Sequence, residues 1–181
     1  MSKYIAETLI SESEIKAMVE RLGAQLNQDY AGKQVVIIGV LRGSVVFMAD
    51  LIRQLDFPVE IDFISVSSYQ GTKSTGVVKI VKDTDHDITG KHVILVEDIV
   101  DTGLTLNYLR ELFADRGPAS LRVCSAFDKP DCRQVNVPVE YIGQAIPNAF
   151  VVGYGLDYQQ RYRNLPYLAV LGDDGKEGQD E

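Results

Sequence analysis

Cysteine, histidine and clustered positive charge are all scarce in this chain. Its 181 residues include two cysteines and two histidines. Cys124 and Cys132 lack Cys-x-x-Cys spacing and could form one bridge at most, which excludes a disulfide-stapled framework. They read as reduced, structural thiols, with Cys124 buried because it lies in an apolar run. His86 and His92 have neither helical nor metal-ligand spacing and read as structural or solvated. No run approaches the roughly 18 apolar residues that a membrane span needs. The start, Met1-Ser2-Lys3-Tyr4-Ile5-Ala6-Glu7, carries an early acid and no signal-peptide core. A cytoplasmic chain with no membrane partner is expected. Acids outnumber bases by 26 to 18, giving a formal net charge of −8, and no Lys/Arg cluster stands out. That excludes a broad nucleic-acid surface. Any basic residue that matters must act locally, inside a site.

What remains is ordinary globular material, 45% hydrophobic and 24% charged, enough for one core and one domain over residues 1–181. Ser11-x-x-Glu14 has the form of a capping box, and Ile15, Met18, Val19, Leu22 and Leu26 follow at helical spacing up to Gly32. Residues 35–40 form a short apolar strand. A turn, Leu41-Arg42-Gly43-Ser44, leads into a helix carrying Val46, Phe47, Leu51, Ile52 and Leu55, limited by Pro58. Residues 61–66 alternate like a strand. The stretch from Ser67 to Gly90 is polar and rich in Gly, Ser and Thr, with a short strand at 77–81. Residues 104–116 read as a helix stopped by Gly117-Pro118, and strands follow at 121–127, 141–143 and 150–153. The acidic, Gly-rich tail from Gly172 reads as a frayed end. Alternating strands and helices predict an α/β fold: a Rossmann-like open, mainly parallel sheet flanked by helices, with ligands at the carboxyl ends of the strands. The turns at Arg42, at 97–105 and at Lys129 all follow strands and are expected to converge there.

The most specific segment is Val93-Ile94-Leu95-Val96-Glu97-Asp98-Ile99-Val100-Asp101-Thr102-Gly103-Leu104-Thr105. Four apolar residues make a buried parallel strand, two carboxylates close it, and a Thr-Gly turn opens a helix. Such a turn presents unpaired N–H groups at the positive end of a helix, a setting that favours phosphate. Carboxylates beside a phosphate site call for a ligand with hydroxyls or a divalent cation, and a phosphorylated sugar has both anion and hydroxyls. Adjacent strand residues point to opposite faces, so spacing alone does not make Glu97 and Asp98 a joint metal site; a strand ending near Val96 would let both reach a pentose. The same residues also fit an ordinary strand–turn–helix with solvated acids, Thr102 or Asp101 serving as helix N-cap. Asp83-x-Asp85-x-Asp87 is no calcium loop, because Ile88 replaces the required glycine and Ile94 the closing glutamate.

The thirteen-residue segment resembles the ribose-phosphate signature of the type I phosphoribosyltransferases, in the bacterial pattern of its purine-specific branch. The resemblance implies a parallel-sheet core with a small hood from N- and C-terminal segments. It also implies Mg²⁺-dependent transfer of a 5-phosphoribosyl group from phosphoribosyl pyrophosphate to N9 of a 6-oxopurine. Asp101, Thr102, Gly103, Leu104 and Thr105 would cradle the 5′-phosphate, with Asp101 also handling the purine proton at N7. Glu97 and Asp98 would face the ribose hydroxyls or the metal, with Asp157 as a third metal-side carboxylate. Leu41, Arg42 and Gly43 match the pyrophosphate loop, whose peptide before the basic residue can be cis in relatives, and Arg163 would reach the pyrophosphate. Ile99, Lys129, Phe150, Val151 and Asp157 would surround the purine, Phe150 by stacking and Lys129 by donating to a 6-oxo group, which the 6-amino group of adenine cannot accept. Ser68 and Tyr69 match a lid that keeps water from the reacting sugar. Some relatives, notably eukaryotic ones, carry lysine where this chain has Leu104. Family members commonly form dimers or tetramers, so a homo-oligomer is expected. A regulator on the same fold, or a sister enzyme using xanthine or uracil, are the competing readings.

Overall fold

The computed structural model describes residues 3–68 and 78–173. Its main sheet has six strands in the order β4-β3-β2-β5-β6-β7. These are β2 (Val35–Leu41), β3 (Val59–Ser68), β4 (Val78–Lys82), β5 (His92–Val100), β6 (Ser120–Asp128) and β7 (Tyr141–Ala145). All pair in parallel except the edge strand β4, which runs antiparallel to β3. The mainly parallel α/β architecture expected from the sequence is therefore present.

Three helices cover the sheet: α1 (Glu12–Tyr30), α2 (Ser44–Ile52) and α3 (Leu104–Ala114). Both halves of the Ser11/Glu14 capping box form. α2 ends at Ile52, so Leu55 lies beyond it and Pro58 is not what stops it. β2 is apolar on both faces because both are covered: Val35 and Ile37 pack with residues of α1 and α2, while Val36, Ile38 and Val40 pack with Leu106, Leu109 and Phe113 of α3. Cys124 and Cys132 are both free, and Cys124 is buried as its apolar run predicts.

β2 connects to β3 on one side, whereas β5 connects to β6 on the other, so strand order reverses between β2 and β5. A crevice opens at the carboxyl ends at such a switch point. It places the turn after β2 opposite the turn after β5.

A second sheet of three strands, β1-β9-β8, caps this edge. β1 (Lys3–Ile10) pairs antiparallel with β9 (Leu168–Asp173), which pairs with β8 (Val151–Val152). This is the hood formed by both ends of the chain. It corrects the reading of a frayed end at Gly172 and Asp173, which belong to β9, where Gly172 pairs with Tyr4; the rest of that tail, 174–181, lies outside the described residues. Ser68, expected in a lid, ends β3 opposite Val78, while Tyr69, expected beside it, lies outside the described residues. No helix among the described residues is long and apolar enough to cross a membrane.

Candidate active site

β5 continues to Val100, so the strand does not end at Val96. Glu97 and Asp98 are both strand residues, yet both line one cleft of about 350 Å³ together with Arg42, Gly43, Asp157 and Arg163. A shift in facing explains this. Before the pair, Val93 and Leu95 pack toward α3 and Ile94 and Val96 toward α1 and α2. After it, Ile99 packs with the α1/α2 cluster and Val100 with the α3 cluster. Strict alternation breaks across the two carboxylates.

Burial shapes both acids. Glu97 is 8% exposed, and its carboxyl is pushed well above the usual range, first by burial and then by the charge of Asp98. Asp98 is raised to about 6, chiefly by burial; the N–H of Ile99, donating to Oδ1 at 2.8 Å, and the charge of Arg163 oppose the rise. Two carboxyls whose charged forms are disfavoured are well suited to a cation or to sugar hydroxyls. Among the described residues, no three His, Cys, Asp or Glu side chains gather closely enough to hold a metal alone. Magnesium does not need such a cage, because it retains waters and is commonly held by one or two carboxylates together with substrate phosphates. The acidic pair fits a metal of that kind.

The turn after β5 forms the next wall. Gly103, not Thr102 or Asp101, is the residue at the N-terminal boundary of α3, in a left-handed conformation with φ 83° and with no side-chain cap. A β-carbon there would also press within 2.9 Å of Val137 Cγ1. Gly103 thus takes the boundary position, while the Thr102 hydroxyl beside it accepts from the N–H of Leu104, the first residue of α3, at 3.4 Å. A hollow of about 110 Å³ is lined by Asp101, Thr102, Gly103 and Thr105. Leu104 is 40% exposed.

Lys129 is not a surface lysine. It is 8% exposed, donates to the Ala149 carbonyl at 2.8 Å, and its Nζ stands 4.0 Å from Asp101 Oδ2. Phe150, adjacent to Ala149, is 54% exposed and meets Tyr158 edge to face at 5.9 Å. Val151 is buried in β8.

Opposite, the Leu41–Arg42 peptide is cis, as the family resemblance allows. The loop after β8 clasps this turn. A β-carbon on Gly155 would lie 2.0 Å from the Gly43 carbonyl oxygen, so only glycine permits the approach. Arg163 donates to the Gly155 carbonyl at 2.7 Å and pairs with Asp157 at 2.6 Å. Gln160, which nothing in its sequence context marks, accepts from both Arg42 and Arg163 at 3.2 Å. Tyr154, Gln159, Gln160 and Tyr162 all have positive φ, a concentration of costly backbone that recurs at functional loops. The expected turns thus converge, with Lys129 joined to the others through Asp101.

A larger cavity of about 450 Å³ lies between α1, α2 and residues 163–166, sharing Arg163 with the cleft. It lacks the acidic pair and the helix-end turn, which line the two smaller hollows.

A parallel sheet with a switch-point crevice, an acidic strand end and a Thr-Gly helix entry is the architecture of a phosphoribosyl-handling fold, and the chain belongs to the phosphoribosyltransferase family: the profile "Phosphoribosyl transferase domain" matches residues 7–159. Within it, the chain is 50% identical over 175 residues to the hypoxanthine-guanine phosphoribosyltransferase of Streptococcus mutans, covering 96% of this chain and 97% of that one. It is 52% identical over 172 residues to the hypoxanthine phosphoribosyltransferase of Escherichia coli, covering 93% and 97%. The crystal structure of a Bacillus anthracis hypoxanthine-guanine phosphoribosyltransferase superposes with a TM-score of 0.90 at 47% identity, covering 95% of this chain and 100% of that one.

Proposed function

We propose that this chain transfers the 5-phosphoribosyl group from phosphoribosyl pyrophosphate to N9 of hypoxanthine, with guanine as a second substrate, in purine salvage. The products are the purine nucleotide and pyrophosphate. The observation that carries the assignment is Lys129 Nζ, buried and 4.0 Å from Asp101 at the edge of the helix-end hollow. A donor-only group placed there selects a 6-oxo acceptor over a 6-amino group. The proposal treats residues 1–181 as one catalytic domain, and the pairing of β1 with β9 supports it as far as Asp173.

In this reading the hollow at 101–105 takes the 5′-phosphate, using the unpaired N–H groups at the start of α3. Phe150 stacks on the purine, Ile99 and Val151 border it, and Lys129 donates to its 6-oxo oxygen. Asp101 accepts the proton that leaves the purine as N9 bonds to the anomeric carbon. Its charge also favours the positive character that develops there. The bond from that carbon to the pyrophosphate oxygen breaks, and Arg42, Gly43 and Arg163 hold the departing anion. Glu97, Asp98 and Asp157 would hold Mg²⁺ with the substrate. Bound there, the ion neutralises charge on the pyrophosphate and makes it a better leaving group. The −8 net charge, with no Lys/Arg cluster standing out in the sequence, supports an enzyme over an RNA-binding regulator. A cytoplasmic homo-oligomer, dimer or tetramer, is part of the proposal.

The test is a spectrophotometric panel of hypoxanthine, guanine, xanthine, adenine and uracil with phosphoribosyl pyrophosphate and Mg²⁺, with and without chelator. Chelator-sensitive turnover of hypoxanthine, with adenine inert, is expected. Turnover of xanthine or uracil alone would overturn the base assignment, and turnover of none would leave the regulator.

A further inference from the structure

We propose that Arg133 is a positioning residue that orients the main chain of the phosphate loop from behind. The inference rests on the reading that residues 101–105 bind the sugar phosphate. Arg133 follows the 3₁₀ turn Pro130–Cys132, and its side chain is four-fifths covered. Nη1 donates to two successive main-chain carbonyls, Val100 at 2.8 Å and Asp101 at 2.5 Å. Nη2 pairs with the carboxylate of Asp128, itself buried at the end of β6. The next carbonyl, that of Thr102, accepts from the N–H groups of Gln134 at 3.0 Å and Val135 at 3.3 Å. Three consecutive carbonyls therefore point toward one segment.

That arrangement determines where the N–H groups go. In a trans peptide the C=O and the following N–H point in opposite directions, and the one cis bond among the described residues is Leu41–Arg42. Turning the carbonyls of Val100, Asp101 and Thr102 toward the 129–135 segment turns the N–H groups of Asp101, Thr102 and Gly103 away from it. Those of Thr102 and Gly103 have no protein acceptor among the described residues. They are the free donors a phosphate would meet. The guanidinium also polarises the peptides whose oxygens it holds, which strengthens the donors on their far side. Asp128 keeps the guanidinium in place and compensates its burial. A lysine in place of Arg133 would retain charge, but a single ammonium lacks the planar fork that spans two carbonyls and a carboxylate.

The test compares the wild type with Arg133→Lys and with the double variant D128N/R133Q, which removes both partners so that no buried charge is left unpaired. Ribose 5-phosphate binding is measured by calorimetry, together with KM for phosphoribosyl pyrophosphate and for hypoxanthine, and Tm. For the double variant the expected result is a folded protein whose Kd for ribose 5-phosphate rises about tenfold or more, while KM for hypoxanthine moves less than about twofold. Arg133→Lys should fall between it and the wild type. A lower Tm with unchanged ribose 5-phosphate affinity in both variants would overturn the positioning role and leave a purely structural pair. If the wild type itself does not bind ribose 5-phosphate, the phosphate reading falls first and the inference with it.

Discussion

A β-carbon on residue 43 would lie 1.4 Å from Oδ2 of Asp98, so Gly43 is the space into which the Asp98 carboxylate fits. Gly43 has φ −62° and ψ −35°, which alanine adopts freely. Gly43→Ala should therefore fold and instead displace Asp98. A misplacement of about an ångström at a reacting centre can reduce rates about 10²-fold, and kcat/KM for phosphoribosyl pyrophosphate should fall by about that factor. Steady-state kinetics beside a thermal melt check this. A fully active alanine variant would mean that Asp98 has no fixed role.

The raised acid pair makes stability depend on pH. The Asp98 carboxyl, ordinarily 3.8, is pushed to about 6 in the folded protein, so the folded state binds a proton that the unfolded state has released. Its contribution to stability is fully present below 3.8 and is lost as pH rises through about 6. Asp98→Asn cannot ionise and should gain Tm over the wild type between pH 4 and pH 7, with the two converging at the acid end. Added Mg²⁺ with pyrophosphate should raise the wild-type Tm at pH 7 and raise that of Asp98→Asn less. Parallel melting curves across the range would show that burial of Asp98 carries no penalty.

Asp101 and Lys129 make separable predictions because one is assigned to the proton and the other to the base. Asp101→Asn should lower kcat by about 10²–10⁴-fold while KM for phosphoribosyl pyrophosphate changes little. Lys129→Gln should mainly raise KM for hypoxanthine and narrow the preference over adenine, since the amide can also accept from an amino group. Near-wild-type turnover in Asp101→Asn would remove it from the chemistry.

These residues differ in how visible they are in sequence. The acidic strand and its Thr-Gly turn are legible because a buried parallel strand is an uninterrupted apolar run and the residues that end it must be chemically distinct. The switch-point crevice follows from strand–helix alternation. Long-range pairings leave no local trace. β1 looks like any half-exposed segment until β9, at Leu168–Asp173, pairs with it, and this is why residues 172 and 173 read as a frayed end. The double facing of Glu97 and Asp98 depends on a shift in the pleat that side-chain spacing does not encode. Arg133, Asp128 and Gln160 act through main-chain carbonyls or other side chains, so no residue pattern announces them.

The hood gives a prediction that separates the two halves of the site. Among the described residues β1 pairs with β9 alone, and β9 carries β8, whose start holds Val151 beside Phe150. The six-stranded sheet that positions 41–43 and 97–105 contains none of these strands. Deleting residues 1–9 retains the Ser11 cap of α1 and Ile10 opposite Leu168, but removes the β1 partners of Ala169, Val170, Leu171, Gly172 and Asp173. The purine wall should loosen while the phosphate hollow stays formed. KM for hypoxanthine should rise about tenfold, with the affinity for ribose 5-phosphate held within about twofold. Loss of both together would show that the hood and the sheet fold as one cooperative unit. Loss of neither would show that β8 and β9 hold the purine wall without β1.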